Sequence, residues 1–256
     1  MPRIVFLLLA LLAPGYAQCD NLNIDYWKEY ASDTKACLLS PSHWDSSDWM
    51  KASLVTGITA GLYVFDEDIQ KWIQENRSNT SDKISRFVKP FGDGRYTLPA
   101  IGTLYLYGYF SEDEKAQKTA LLGLESFVIS NIFTQTIKFA GHRHSPNTGD
   151  PCNRWAGFST SNLSFPSNHT SSAFAIATVI ASEYKDKPLI PLASYGIAAL
   201  TGLSRMNDNC HWASDVFFGA SIGYFAGKTI VRLHSDKIIL PIINGQYAAL
   251  LTVYNF

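Results

Sequence analysis

The chain has 256 residues, of which 46% are hydrophobic and 17% are charged, so it is long and apolar enough to bury a core of its own. This length favours a single domain. The formal net charge of −1 argues against a nucleic acid as a partner, although it leaves room for a local basic pocket.

Residues 1–17 have the pattern of a secretory signal peptide. Arg3 supplies a positive start, residues 4–13 form a short apolar run, and Ala17 is a small residue at the expected cleavage position. The apolar run is too short for a transmembrane anchor. We therefore expect an exported mature domain, residues 18–256, with a bacterial periplasm as the favoured compartment.

Four cysteines would remain in the mature chain, and an oxidising compartment allows two disulfides. We favour the pairs Cys19–Cys37 and Cys152–Cys210. The first pair would close a short N-terminal loop, and the second would join two loops close to His211. Four unpaired thiols are the alternative, whereas a metal site is disfavoured because the chain has no Cys-x-x-Cys pair.

Three regions follow one another in the predicted mature chain: N-terminal helices and loops over residues 18–93, a helical core over residues 94–233 and a β-hairpin over residues 237–254. Apolar periodicity and capping residues predict helices over residues 49–65, 66–76, 82–88, 98–110, 114–139, 170–184 and 212–234.

The faces of two of these helices are also predicted. In the helix over residues 66–76, the apolar spacing places Ile69, Trp72 and Ile73 on an inward face. The helix over residues 98–110 is apolar almost throughout and is expected to be buried.

The last predicted helix carries Gly219, Gly223 and Gly227 at four-residue steps, which permits close approach of another helix. No segment offers about 18 consecutive apolar residues, the length that a spanning helix needs. We therefore predict an all-α helical bundle with apolar interior faces, and a peripheral contact with a membrane surface stays open.

The C-terminal region differs in composition from the rest. Residues 237–243 and 246–254 are rich in Ile, Leu, Val and Tyr, and Asn244-Gly245 lies between them. An Asn-Gly pair flanked by β-forming residues is a strong hairpin signal. We expect a two-stranded hairpin that packs on the bundle.

Residues 203–215 combine groups that suit chemistry on an anion. Asp215 follows His211 by four residues, so a helix that begins near His211 places both on one face. A carboxylate that binds one ring nitrogen fixes the tautomer and leaves the other as base or nucleophile. Arg205 supplies a planar fork of donors that fits phosphate. The alternative is a surface ion pair beside a helix cap.

Two further segments are of the same kind. Ser167, Asn168 and His169 open a predicted helix, whose N-terminal N–H groups form an anion site. Lys138 and Arg143 lie where an earlier helix ends in a basic loop. The alternatives are a plain helix cap and a solvated, positively charged helix end. The two histidines beside the arginine, at positions 142 and 144, are expected to be solvated.

In this order, the three segments resemble the type 2 phosphatidic acid phosphatase superfamily, which includes bacterial class A acid phosphatases and vanadium haloperoxidases. Its pattern is Lys-x6-Arg-Pro, then Pro-Ser-Gly-His, then Ser-Arg-x5-His-x3-Asp. The third part matches in full, Asn168 replaces glycine in the second, and Ser145 replaces arginine in the first. Arg143 is our candidate to supply the missing charge. The resemblance covers residues 94–233 and implies that they form a catalytic helical bundle.

The residues and the resemblance imply the same roles. His211, oriented by Asp215, attacks phosphorus and forms a phosphohistidine, while His169 protonates the leaving oxygen. No metal or other cofactor is expected, and phosphate or vanadate would fit the same site. The residues expected to bind the phosphate group are Lys138, Arg143, Ser167, Asn168 and Arg205.

These roles predict a metal-independent phosphatase for phosphomonoesters or diphosphates, with lipid-linked esters favoured and no obligate protein partner evident. A vanadate-dependent haloperoxidase is one alternative. The other is a catalytically weak protein that binds phosphate or lipid, because Ser145 removes one cation from the family pattern.

Overall fold

The computed structural model describes residues 24–158, 163–235, 237–244 and 247–254 of the chain. The predicted signal peptide lies outside the described residues, as do Cys19 and the side chain of Cys37. The described chain is mainly a bundle of α-helices, which confirms the predicted fold class. In chain order the helices are α1 (Ile24–Leu39), α2 (Ser46–Val64), α3 (Asp66–Glu75), α4 (Asn79–Val88), α5 (Gly94–Phe110), α6 (Glu114–Gly141), α7 (Asn168–Glu183), α8 (Leu189–Asn207) and α9 (Ala213–Ser235).

Short polar side chains set several helix starts. The Asp45 carboxylate accepts a hydrogen bond from the Asp48 N–H, so α2 begins earlier than the predicted residue 49. Ser78 and Ser81 form a reciprocal capping box that starts α4, also ahead of its predicted start. A short 3-10 helix, Lys89–Gly92, joins α4 to α5.

The core lies around α7, which packs against α6, α8 and α9. One cluster of buried apolar side chains joins α6, α7 and α9, and it consists of Leu122, Ile129, Val179, Ala226 and Ile230. A second joins α7 to α8 through Ala173, Ala177 and Ala198. The small residues of the second cluster allow these two helices to pack closely.

The glycines of α9 lie directly against α7, as their spacing predicts. A Cβ atom on Gly219 would lie 2.5 Å from the carbonyl oxygen of Ser167, and one on Gly227 would lie 2.7 Å from the Cβ of Thr178. A Cβ on Gly223 would overlap the carbonyl of Ser171. The two helices are therefore close along several turns, and the start of α7 is held against the start of α9.

Helix α3 presents its polar face to the interior, which makes the predicted orientation wrong for Trp72. That side chain is 64% exposed, whereas Asp66 and Gln70 on the same helix are buried. The Gln70 amide donates to the carbonyl of Met206, 3.1 Å away, and to Oδ1 of Asn209. Periodicity identifies two faces of a helix, but here hydrogen bonds to the end of α8 and to the loop after it decide that Gln70 is buried.

Large apolar side chains also cover the outside of the bundle. None of the described residues of α2 is buried, and α5 buries only three, so the prediction that residues 98–110 form a buried helix is wrong. The exposed apolar residues of these two helices include Trp49, Met50, Leu54, Ile58, Val64, Leu98, Leu106, Tyr107 and Phe110. In the described residues, one helix, α6, is long and apolar enough to cross a membrane by length and composition.

After α9, two antiparallel strands occupy the segments in which the sequence predicts a hairpin. Strand β1 (Lys237–Asn244) pairs with β2 (Tyr247–Tyr254), in a register that places Lys237 opposite Tyr254 and Asn244 opposite Tyr247. The two residues between the strands lie outside the described residues.

The predicted Cys152–Cys210 disulfide is absent, because both residues are free thiols that contact different parts of the backbone. The Sγ of Cys152 lies 4.0 Å from the carbonyl oxygen of Tyr63, and the Sγ of Cys210 lies 3.4 Å from that of Asp208. The loop that carries Cys152 is held instead by Arg143, whose Nε donates to the Cys152 carbonyl at 2.8 Å. The predicted Cys19–Cys37 pair falls outside the described residues.

Candidate active site

The three segments of the family pattern meet around the start of α9. Lys138, near the end of α6, donates from Nζ to the carbonyl oxygens of Leu163 and Ser164, at 2.7 and 2.9 Å. The Ser164 hydroxyl donates to Oδ2 of Asp215 at 2.5 Å, and the Ser167 N–H donates to the Asp215 carbonyl at 3.0 Å. Direct hydrogen bonds therefore join the ends of α6, α7 and α9.

His211 lies immediately before α9, with its Nδ1 directed at the first turn of that helix. Nδ1 is 3.6 Å from Oδ2 of Asp215 and 3.4 Å from the hydroxyl of Ser164. The first distance exceeds that of a hydrogen bond, so the attraction in this conformation is electrostatic. Oδ2 also accepts the N–H of Trp212 at 2.9 Å. Because Nδ1 faces the carboxylate, Nε2 is left for a substrate.

Burial and charge set the protonation of this pair. Burial lowers the pKa of His211 and outweighs the opposite effect of the nearby Asp215 carboxylate. Burial alone would raise the pKa of Asp215, but the contact with His211 and the charge of Arg143 reverse that effect and lower it. At neutral pH the pair is therefore a neutral imidazole beside an ionised carboxylate, the state that a nucleophilic histidine needs.

His169, in the first turn of α7, faces the same site. Its Nε2 is buried without a hydrogen-bond partner among the described residues. Burial, and then the charges of Arg205 and His211, lower its pKa to about 4. A Cβ on Gly92 would overlap the His169 carbonyl, so the 3-10 helix Lys89–Gly92 packs directly on this residue. The backbone of His169 is therefore held in place, and its ring is neutral at pH 7.

Lys138 is a buried cation of the site. Burial lowers its pKa to about 8, partly offset by the charge of Asp215, so the amine stays mainly protonated at neutral pH. Two of the three protons of its ammonium group go to carbonyl oxygens, which leaves one for a phosphate oxygen.

Arg205, in the last turn of α8, is the second cation, and it already has an acidic partner. Its Nη2 contacts Oδ2 of Asp208, and its Nε donates to the hydroxyl of Ser204 at 3.3 Å. Asp208 also accepts the hydroxyl of Ser85 at 2.6 Å and lies 4.0 Å from Nζ of Lys89. Nη1 of Arg205 has no hydrogen-bond partner in the described part of the chain, and it is the group available to an anion.

Ser167 and Asn168 form the start of α7, as predicted. Ser167 is the N-cap residue, but its side chain makes no capping bond to the helix backbone within the described structure; its hydroxyl accepts from that of Thr170 at 2.8 Å. The Asn168 side chain lies 3.5 Å from the Gln135 amide. The first N–H groups of α7 are therefore left for an anion.

Arg143 does not take the phosphate-binding position that its place in the sequence suggests. The side chain is 0% exposed, and its guanidinium forms ion pairs of 2.7 Å with both Asp66 and Asp215. Nη1 also donates to the hydroxyl of Ser214 at 2.7 Å, and Nε to the Cys152 carbonyl. The two carboxylates attract the guanidinium into the protein interior, so it is not available to replace the family arginine at position 145.

The histidines beside Arg143 are also less exposed than predicted. His142 ends α6 in a left-handed conformation with φ 53° and is buried, so the prediction of a solvated ring is wrong for it. His144 is partly buried, with Nδ1 2.7 Å from Oδ2 of Asp150. Its carbonyl accepts the Trp212 indole N–H at 2.9 Å, which ties this loop to the start of α9. Ser145 is the N-cap residue of the short 3-10 helix Pro146–Thr148 that follows, but its side chain makes no capping hydrogen bond within the described structure.

Four residues of this region escape the sequence reasoning. Ser164 contacts the His211–Asp215 pair, and Asp66 contacts its partner Arg143. Asp208 contacts Arg205, and Lys89 lies 4.0 Å from Asp208. An aspartate at a helix start, such as Asp66, is ordinarily interpreted as a cap or a dipole partner. Only the contact between segments distant in the chain identifies these four residues.

A group with metal-ligand geometry lies elsewhere in the described bundle. His234 of α9 has its Nε2 3.0 Å from Oδ2 of Asp33 and 3.1 Å from Oε2 of Glu125. Ligand atoms of these three residues lie within 4.8 Å of one another. These contacts join α1, α6 and α9, and none of the three residues belongs to the segments around His211.

Two relatives of known class share part of this sequence. A lipid A 1-phosphatase of Porphyromonas gingivalis is 47% identical over 66 residues, which are 25% of this chain and 15% of that protein. A PA-phosphatase related-family protein of Dictyostelium discoideum is 30% identical over 166 residues, which are 55% of this chain and 61% of that protein. The chain thus spans less than two thirds of the length of these relatives.

The fold is similar to two solved structures. A transmembrane PAP2 type phosphatidylglycerolphosphate phosphatase of Bacillus subtilis matches with a TM-score of 0.51 at 18% identity, over 83% of this chain and 95% of that one. LpxE of Aquifex aeolicus matches with a TM-score of 0.51 at 23% identity, over 66% of this chain and 95% of that one. The family model of the PAP2 superfamily matches residues 119–239, which contain all three segments. The three segments stand in order within the matched residues, so this part of the chain is similar to the PAP2 superfamily.

Proposed function

We propose that the protein is a phosphatase that hydrolyses a lipid-linked phosphomonoester or diphosphate through a phosphohistidine at His211. The observation that carries the proposal is a neutral, buried imidazole whose Nδ1 faces Ser164 and Asp215, with a second histidine and two cations in the same site.

The reaction has two balanced steps. The lone pair of Nε2 of His211 attacks phosphorus, the N–P bond forms, and the P–O bond to the leaving group breaks as His169 gives that oxygen a proton. Water then attacks the phosphohistidine, His169 takes a proton from this water, and the N–P bond breaks to release inorganic phosphate. Asp215 stabilises the imidazole ring as it gains positive charge.

The pKa of His169 constrains how it acts. At about 4 in the free protein, the ring is neutral at pH 7. The proton for the leaving oxygen therefore arrives with a monoanionic substrate, or is taken up when the bound phosphate raises the pKa of His169 by its negative charge. In either case the acid is formed only when substrate is bound.

Positive charge for the phosphate oxygens comes from the chain itself, so the proposal includes no metal ion. Lys138 and the Nη1 group of Arg205 are the side-chain donors, and the N–H groups at the start of α7 add further ones. Fixed cations of this kind stabilise the charge that spreads over the equatorial oxygens of a transferring phosphoryl group.

A lipid substrate is supported by two independent observations. The relatives include a lipid A 1-phosphatase and a phosphatidylglycerolphosphate phosphatase, by the names given to those proteins. The outer faces of α2 and α5 expose many large apolar side chains, as expected of surfaces that contact lipid. We therefore propose that the protein works at a membrane of the cell envelope, with the periplasm as the expected side.

A weakly catalytic binding protein is the second candidate. Ser145 stands where the family has arginine, and Arg143 forms ion pairs with two carboxylates. The site thus offers fewer cationic side chains to a phosphate than the family pattern does, which favours slower turnover or a substrate with a different charge.

The test is phosphate release by the full chain in detergent with EDTA, from a short-chain phosphatidic acid, an isoprenyl diphosphate and p-nitrophenyl phosphate. Release from a lipid ester that persists in EDTA and is lost in His211→Ala, but kept in the exposed control His43→Ala, supports the proposal. Acid-labile, alkali-stable radiolabel on the wild type, absent in His211→Ala, would identify the intermediate.

Equal release by His211→Ala and wild type would overturn the assigned nucleophile. A need for added metal would overturn the metal-independent mechanism. Binding of the lipid phosphates without any release would favour the second candidate.

A further inference from the structure

A buried ring of charged and polar groups lies behind the His211–Asp215 pair. Asp66, Arg143, Ser214 and Asp215 are all fully buried. Arg143 contacts Asp66 through Nη2 and Asp215 through Nη1, each at 2.7 Å. Ser214 closes the ring, since its N–H and hydroxyl donate to Asp66 at 2.9 and 2.5 Å.

We propose that Asp66 and Arg143 are positioning residues for His211: they hold Asp215 in one orientation and set the negative charge that the imidazole faces. The catalytic consequence of this inference rests on the proposed function. The inference gives α3 and the loop after α6 a role in the same site.

The geometry fixes Asp215. Arg143 uses Nε, Nη1 and Nη2 on different partners, and its guanidinium lies over the ring of Tyr63, with a centroid distance of 4.6 Å. The rings of Trp212 and Trp155 are 5.4 and 5.6 Å away. A guanidinium enclosed in this way cannot rotate, so Oδ1 of Asp215 is held and Oδ2 is presented to His211.

The charge count explains why a second carboxylate is present. Arg143 alone would neutralise Asp215 and reduce its effect on the imidazole. Asp66 balances the guanidinium, so two carboxylates and one cation leave a net charge of about −1 beside His211. That charge stabilises the imidazole as it becomes positive during phosphoryl transfer.

Several other charged or titratable groups act on His211, and the proposal takes them as constant. They come from α6, α7 and α8, and they are Lys138, His169 and Arg205. The acidic groups that contact Arg143 are Asp66 of α3 and Asp215 of α9.

The experiment compares Asp66→Asn with Gln70→Leu in the full chain, by the pH dependence of kcat/KM on one lipid phosphate. Both residues are buried on α3, but Gln70 bonds to the Met206 carbonyl and not to the ring. We expect Asp66→Asn to move the acidic limb of the profile down by about one pH unit and to lower kcat about tenfold, because a negative charge near His211 is lost. We expect Gln70→Leu to leave the limb in place.

Arg143→Lys separates position from charge. Lysine keeps the positive charge but lacks the planar, forked donors of the guanidinium, which contact both carboxylates. We therefore expect a lower kcat, with the acidic limb at the same pH as in the wild type. The proposal would be overturned if the acidic limb of Asp66→Asn lay at the same pH as that of the wild type. It would also be overturned if Gln70→Leu moved the limb as far as Asp66→Asn does. A purely structural role predicts one of these two results.

A second measurement does not depend on turnover. With histidine labelled with carbon-13 at Cε1, the chain gives six signals, one per histidine, and His211→Gln identifies that of His211. A lower titration midpoint in Asp66→Asn than in wild type is expected, and equal titration curves would overturn the charge effect. If the wild type hydrolyses no ester, the proposed function fails, while this titration still decides the inference.

Discussion

The guanidinium of Arg205 contacts Asp208 and also faces the site. Asp208 and a bound phosphate therefore compete for the same cation. Nη2 of Arg205 contacts Asp208, which also lies near Lys89. We expect Asp208→Asn to release Arg205 and to make the site more positive. The inhibition constant of inorganic phosphate should then fall about tenfold, as expected for removal of one competing charge contact.

The matched control is Asp150→Asn, which removes a carboxylate bound to His144 rather than to a cation of the site. It should leave phosphate inhibition unchanged. Weaker inhibition in Asp208→Asn would instead mean that Asp208 holds Arg205 in its productive position.

Lys138 gives the site an alkaline limit. Burial lowers its pKa to about 8, so the amine is charged below that pH and loses its proton as the pH rises through it. Since kcat/KM reports the ionisation of the free enzyme, we expect kcat/KM to fall above about pH 8. Lys138→Arg should remove this limb, because a guanidinium stays protonated. The control is Lys118→Arg, on the same helix and paired with Glu183, which should keep the alkaline limb. If the limb stays at the same pH in Lys138→Arg, Lys138 is not its source.

At the scale of the elements, the packing of α9 on α7 holds the two halves of the site together. A Cβ on Gly219 would lie 2.5 Å from the carbonyl of Ser167, a backbone atom at the start of α7. We expect Gly219→Ala to destabilise the fold by about 1–3 kcal/mol and to lower activity, because the start of α7 must move away from His211.

Gly196→Ala on α8 is the control, since the added methyl group would meet no atom within 4 Å. Alanine is favoured over glycine in a helix by about 1 kcal/mol, so this variant should be as stable as the wild type or more so. Thermal unfolding of both variants in the same detergent makes the comparison. Equal melting temperatures for Gly219→Ala and the wild type would contradict the close approach.

Spacing along the chain accounts for much of what the sequence predicts correctly. The four-residue step from His211 to Asp215, the glycine steps on α9 and the polar start of α7 are local patterns with one geometric consequence each. The role of Arg143 fails as a prediction because it depends on Asp66, which only tertiary packing brings to it. The sequence likewise could not reveal that the hydroxyl of Ser164 contacts both His211 and Asp215.

At the scale of the whole molecule, polar groups occupy much of the interior and apolar groups much of the outside. Asp66 and Gln70 are buried on α3, while Trp72 on the same helix is exposed. A rule that places apolar faces inward assumes water outside, and it fails for Trp72 of α3 and for the burial of α5. Helices α2 to α7 and α9 were still predictable, because capping and periodicity do not depend on what surrounds the bundle, whereas α1 and α8 were not predicted as helices.

This distribution predicts that the protein binds lipid through α2 and α5. Leu54 and Phe110 are 63% and 76% exposed, and transferring a side chain of this size from water to lipid contributes about 1.5–3 kcal/mol. We expect the wild type to float with phospholipid vesicles in a density gradient, and Leu54→Lys with Phe110→Lys to weaken that partition by at least about tenfold while the melting temperature holds.

Asn76→Lys, exposed at the end of α3, adds a charge without removing an apolar contact and should float as the wild type does. If the double variant floats equally well, α2 and α5 are not the lipid-contacting surface. If it no longer floats but still hydrolyses a soluble phosphate ester, these helices bring the site to its lipid substrate without taking part in the chemistry.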